Sequence, residues 1–185
     1  MVLPIIAYGS KVLRKSCDEI DSSHVDLDVL IKNMFETMYA ASGVGLAAPQ
    51  INKSLRLFII DTSPFVDEEN PDHIVYKKVF INPRILSSTG ESWSFNEGCL
   101  SIPDVREDVK RFSDITIDYF DENFKRNTED FTGLNARVIL HEYDHIKGIL
   151  FIDKISPLRK KMIKGKLLDI SNGKFDVQYN IRAVR

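Results

Sequence analysis

His141-Glu142-Tyr143-Asp144-His145 is the stretch that most limits what this chain can become. Two histidines four residues apart lie on one face of a helix, with Cβ atoms about 5–6 Å apart, so one metal ion can take a nitrogen from each. Leu134 and Val138 continue the same stripe towards the N-terminus, which predicts a helix over residues 134–147, opened by Thr132-Gly133 and ended by Gly148. Imidazoles on a largely apolar stripe are costly to bury unless each nitrogen finds a partner, and a metal supplies one. Glu142 sits on the shoulder of that face, where its carboxylate reaches a metal-bound water without ligating the ion. The pattern also arises on ordinary amphipathic helices, so a third donor has to be found.

Zinc peptidases of the thermolysin type place a glutamate downstream of this motif. Here no glutamate follows Glu142, and the acids beyond the motif are Asp153, Asp169 and Asp176, in no recognisable pattern. Upstream stands Glu97-Gly-Cys-Leu-Ser101, where a thiol and backbone N–H groups share a turn. Cys99, His141 and His145 make a three-donor site with a position left for water, as a catalytic metal requires. Two rival readings remain. A zinc endopeptidase would use the same helix to cut internal peptide bonds. A structural zinc would need a fourth protein ligand, and Cys17, His24 and His73 lie far off without ligand spacing.

The remaining chain suits an α+β fold: antiparallel strands packed around the central histidine-bearing helix, with a further helix at the C-terminus. At 185 residues it is read as a single domain over 1–185. Leu27, Leu30, Ile31, Met34, Met38 and Tyr39 recur at helical spacing and predict a core-packing helix over residues 26–41, with a short helix at Ser10 to Arg14 before it. Leu55 to Asp61, Val75 to Asn82 and Ile85 to Ser94 read as strands, the second stopped by Asn82-Pro83, the third bulged or turned at Gly90. Ile115 to Phe120 and the residues from Phe124 onward read as a hairpin. Gly43-Val-Gly-Leu-Ala-Ala-Pro-Gln50 is a tight turn or a backbone segment exposed to a ligand, with Gln50 as donor. No βαβ pattern surrounds it, so a dinucleotide site is rejected.

A net charge of -2 argues against bulk-charge binding of nucleic acid. The short apolar opening, interrupted by Pro4 and preceded by no basic stretch, is not expected to serve as a secretory signal, and no apolar run approaches the ~20 residues that span a bilayer. The two cysteines are expected as reduced thiols in a cytoplasm. Ser156-Pro157 starts the last helix. Its Lys154, Arg159, Lys160, Lys161, Lys164 and Lys166 form a solvated face or a docking surface for something anionic.

Taken together, Gly43 to Gln50, Glu97 to Ser101 and His141 to His145 resemble the three motifs of peptide deformylase, in that family's order and approximate spacing. Leu3-Pro-Ile-Ile-Ala-Tyr-Gly9 and Gly148-Ile-Leu-Phe151 extend the likeness over most of the chain. The resemblance implies a hydrolase that removes the N-formyl group from the initiator methionine of new proteins. It implies Cys99, His141 and His145 as ligands of one divalent metal, ferrous iron by preference, with zinc, nickel or cobalt as replacements. Glu142 would be general base and acid towards a metal-bound water. Gln50 and the Leu100 N–H would hold the oxyanion. Gly43, Val44 and Gly45 would line an extended peptide, Gly45 by backbone hydrogen bonds. Arg106 would anchor substrate, and Val44, Leu134 and Val138 would line an apolar methionine pocket. The basic last helix is similar to one this family can use at the ribosome, with no membrane role. Leu140 stands where the family commonly has glutamine, and Lys11 where it often has proline.

Overall fold

The structure, a computed structural model, describes residues 1–68 and 70–183. Its frame is a five-stranded antiparallel sheet in the order β2-β3-β4-β5-β6, built from β2 (Gly45–Ala47), β3 (Leu57–Asp61), β4 (Lys77–Cys99), β5 (Ile102–Phe120) and β6 (Arg126–Thr132). A second, two-stranded parallel sheet joins β1 (Ile5–Ile6) to β7 (Ile181–Arg182) and so ties the two ends of the chain. The helices are α1 (Leu27–Ala40), α2 (Gly133–Ile146) and α3 (Pro157–Ser171). None is long and apolar enough to cross a membrane.

β3 shows how the layers form. Its sequence Leu-Phe-Ile-Ile-Asp is buried throughout, because successive side chains point to opposite faces and both faces are covered. Leu57 and Ile59 join Met34, Met38 and Ile31 of α1. Phe58 and Ile60 join Phe80, Tyr119 and Phe131 with Ala136, Ile139 and Ile146 of α2. The helix bearing both histidines therefore lies against one face of the sheet and α1 against the other. A third cluster packs Val105 and Val109 of β5 on Leu150, Phe151, Ile152 and on Leu167 and Ile170 of α3.

The expected helices and the 115–132 hairpin are present, and the strand expected from Leu55 to Asp61 runs from Leu57 to Asp61. The Ser10–Arg14 helix is a single 3-10 turn, Lys11–Arg14. Two strand boundaries are corrected. Asn82-Pro83 does not stop a strand, since β4 runs through it from Lys77 to Cys99. The register against β5 shifts between Ile81 and Arg84, so the missing proline N–H falls at an irregularity where the ladder does not need it. Asn82 takes a left-handed φ of 49°, and its amide bonds both the N–H (2.9 Å) and the carbonyl (2.6 Å) of Ile20. Gly90, at φ 78°, sits in another register shift of the same strand.

β5, in turn, begins at Ile102 and not at Ile115. Its first half buries Val105, Glu107, Val109 and Arg111 in strict alternation. Two of those inward positions carry charge, which hides the period-2 pattern from any reading based on hydrophobicity.

Asn82→Ala removes two side-chain hydrogen bonds and leaves a β-carbon in the left-handed region. We expect a loss of about 3 kcal/mol, read as a lower urea midpoint at unchanged slope.

Candidate active site

α2 presents His141, Glu142 and His145 towards the end of β4, where Cys99 closes the strand. The candidate ligand atoms of Cys99, His141 and His145 lie within 4.8 Å of one another, and no other such group of three occurs among the described residues. The Cys99 Sγ is 3.3 Å from His145 Nε2, and the two imidazole rings stand 5.1 Å apart at 72°. His141 Nδ1 meets the Glu97 carboxylate at 3.0 Å, which leaves Nε2 for the cluster. Phe151 stacks near the same ring, with centroids 6.1 Å apart.

Glu97 is the centre of a buried ion network that orients this helix. Its carboxylate accepts two bonds from Arg111 (2.7 and 3.0 Å) and one from Arg137 (2.9 Å), besides the contact to His141. Arg111 also reaches Asp144 at 2.6 Å, and Lys154 approaches Asp144 at 3.2 Å. Burial opposes ionisation of Glu97, but bonds from His141 and Arg111 outweigh it and hold the carboxyl far below its usual range. Arg111, Arg137 and the role of Glu97 itself escaped the sequence reading. Arg137 lies one turn before His141, at the i−4 spacing that could have exposed it.

Burial lowers the basicity of His141, but its contacts with Cys99 and Glu97 prevail and push its pKa up to about 10. Burial and the neighbouring His141 drive His145 well below its usual value, so its imidazole is neutral. A thiol and two imidazoles around one point suit iron, zinc, nickel or cobalt. The residues present fit a metal ion.

Glu142 is buried, and burial raises its pKa to about 7. Its Oε2 has no hydrogen-bond partner among the described residues. A β-carbon at Gly45 would fall 2.5 Å from its Oε1, so Gly45 is required for close approach. Gln50 is buried, accepts from the Ala47 N–H at 2.8 Å, and turns its amide to Cys99 Sγ (3.5 Å) and Ser101 Oγ (3.3 Å).

These groups face a cavity of about 540 Å³. Its wall includes Gly43, Val44, Gly45 and Gln50, then Cys99, Leu100 and Arg106, then Val138, His141 and Glu142. His145 is buried behind that wall. Leu134 is half-buried and is not part of the lining, being a turn earlier on α2 than Val138. Arg106 folds over Gly98 and bonds Asn96. Leu140 packs into the core beneath the sheet, and its carbonyl accepts from Arg111 at 3.4 Å. Phe65, Phe95, Val177 and Tyr179 also line the cavity, from segments that carry no motif.

Arg111→Leu takes two of the four bonds from the buried Glu97 carboxylate and leaves Asp144 with Lys154 as its ion-pair partner. We expect a loss of about 3–5 kcal/mol by chemical denaturation, far more than Arg126→Leu, which breaks an exposed pair with Asp118.

Comparisons with known proteins give the family. The family model for polypeptide deformylase matches residues 2–161. A peptide deformylase of Christiangramia forsetii is 57% identical, over 98% of this chain and 96% of the relative. One from Flavobacterium psychrophilum is 54% identical, over 100% and 98%. Among solved structures, a peptide deformylase from Legionella pneumophila superposes with a TM-score of 0.81 at 37% identity, covering 94% of this chain and 98% of its own. One from Plasmodium falciparum does so at 0.81 and 33%, covering 91% and 95%. The chain belongs to the polypeptide deformylase family, hydrolases that take the N-formyl group from newly made peptides.

Proposed function

We propose that deformylation is carried out by the residues gathered at the end of α2, and that residues 1–185 act as one catalytic domain. The single observation that carries this reading is the convergence of Cys99, His141 and His145 beside an unpaired, buried Glu142 carboxylate. Cys99, His141 and His145 hold the metal. Bound there, the ion supplies a Lewis-acidic charge that polarises the formyl carbonyl and acidifies the attacking water. We take ferrous iron as the native ion.

Glu142 removes the proton from the attacking water and later delivers it to the departing amine, so that formate and a free N-terminus leave. The Gln50 amide and the Leu100 N–H face the oxygen on which negative charge develops. β2 is an edge strand, paired with β3 on one side only, so an extended peptide can add along Gly43–Gly45 by backbone hydrogen bonds. Val44 and Val138 form the apolar wall for the methionine side chain, without Leu134. Arg106 stands at the rim, braced by Asn96, where it can meet the peptide.

Glu142→Ala should retain metal by elemental analysis and lose turnover by about 10²–10⁴-fold. Normal turnover would sink the assignment. Gly45→Ala should displace the Glu142 carboxylate and lower kcat by at least about tenfold. Formyl-Met-Ala-Ser should release formate, while its acetylated analogue stays intact. A cut inside the peptide would favour an endopeptidase. Iron as the main metal in protein purified without oxygen would support the assignment of the ion, and zinc there would reverse it.

A transient ribosome contact in the cytoplasm through α3 is the companion proposal. Arg159 pairs with Glu107, Lys160 with Asp153 and Lys166 with Asp104. Lys161 and Lys164 pair with no acid among the described residues, beside exposed Leu158 and Met162. Cosedimentation with ribosomes should fall when both lysines are changed to glutamine; unchanged cosedimentation counts against the contact.

A further inference from the structure

After α3 the chain turns at Gly173 and runs back to the cavity, where Val177 and Tyr179 enter the lining. The end of this segment is pinned beside β1. The Ile5 N–H donates to the Asn180 carbonyl at 2.8 Å, and the Ala7 N–H to the Arg182 carbonyl at 2.9 Å. Half-buried Tyr179 then donates its hydroxyl to the Leu100 carbonyl at 2.7 Å.

The turn it reaches is held mostly by tertiary contacts. Leu100 and Ser101 join β4 to β5, and the register slips between Gly98 and Cys99, so the ladder grips this corner weakly. Three bonds from outside the hairpin supply the missing restraint. The Tyr8 N–H donates to the Ser101 carbonyl at 2.8 Å, Gln50 reaches the Ser101 hydroxyl at 3.3 Å, and Tyr179 takes the Leu100 carbonyl. The Leu100 side chain abuts Gly43, where a β-carbon would come within 2.8 Å of its Cδ1.

We propose that Tyr179 is a positioning residue for deformylation: its hydroxyl, carried back by the C-terminal segment, locks the Leu100–Ser101 turn so that the Leu100 N–H keeps its aim. The inference rests on Leu100 as an oxyanion donor. Such donors act by being in place before charge develops, and a displacement of the order of 1 Å costs up to about 10²-fold in rate. The recognition motifs do not contain this residue, and the segment that carries it lies beyond residue 161, where the family match ends.

Tyr179→Phe removes the hydroxyl and keeps the ring, and Tyr179→Ala removes both. The assays are turnover of formyl-Met-Ala-Ser by metal-loaded protein and amide hydrogen exchange over residues 99–102. For Tyr179→Phe we expect kcat to fall about five- to tenfold with KM within about twofold, and exchange at the turn to quicken. Metal content should be unchanged. Wild-type kcat in Tyr179→Phe beside a loss in Tyr179→Ala would mean that Tyr179 only fills space, and overturns the proposal. Unchanged exchange overturns it alone, since the hydroxyl is then no clamp. Faster exchange at unchanged kcat overturns it together with the oxyanion role of Leu100.

Discussion

A buried carboxylate is the fixed point of this structure. Glu97, buried between the sheet and α2, accepts from Arg111, Arg137 and His141 at once. A lone buried carboxylate would be expensive, and two guanidiniums plus an imidazole make it tolerable. In return it binds three elements together: the end of β4, the middle of β5 and the face of α2 that carries Arg137 and His141. The candidate metal cluster inherits its geometry from that junction. One candidate donor, Cys99, is two residues from Glu97 on the same strand, and another, His141, is bonded to Glu97 directly.

This arrangement gives His141 a defined tautomer. With Nδ1 occupied by the carboxylate, Nε2 is the nitrogen left for an ion. It also explains why charge occupies inward positions of β5. Arg111 serves Glu97 and Asp144, while Glu107 takes Arg159 of α3 at 2.7 and 2.9 Å. The strand thereby anchors the catalytic helix with one buried charge and the C-terminal helix with the other. Part of the basic character of α3 is thus structural, spent on holding the helix to the sheet.

Around that rigid junction the cleft is assembled from lighter parts. β2 contributes an open edge and a glycine that lets Glu142 come close. The Leu100–Ser101 corner contributes backbone donors held by side chains from Gln50, Tyr8 and Tyr179. The C-terminal segment adds a wall after the chain has otherwise finished its core. Rigid ligands and a cleft made of several short segments suit an enzyme whose substrates share a formyl-methionine and differ afterwards.

Local chemistry in the sequence was enough to pick out the Cys99, His141 and His145 cluster, the three helices and the family likeness. Spacing of four places two imidazoles on one helical face, and stripes of Leu, Ile and Met mark the buried sides of helices whatever packs on them. What it could not show were contacts between residues far apart in the chain. The buried charges of β5 looked like surface residues because their partners lie 14 to 52 positions away. Asn82-Pro83 looked like a strand end because the bulge that absorbs it depends on the neighbouring strand. Leu134 shared the stripe of the histidines, yet only packing decides which turn of that stripe meets the cavity. Tyr179 had no pattern at all: its hydroxyl gains a role when the pairing of β1 with β7 brings the chain's end back to Leu100, and burial and pairing of that kind belong to the folded state alone.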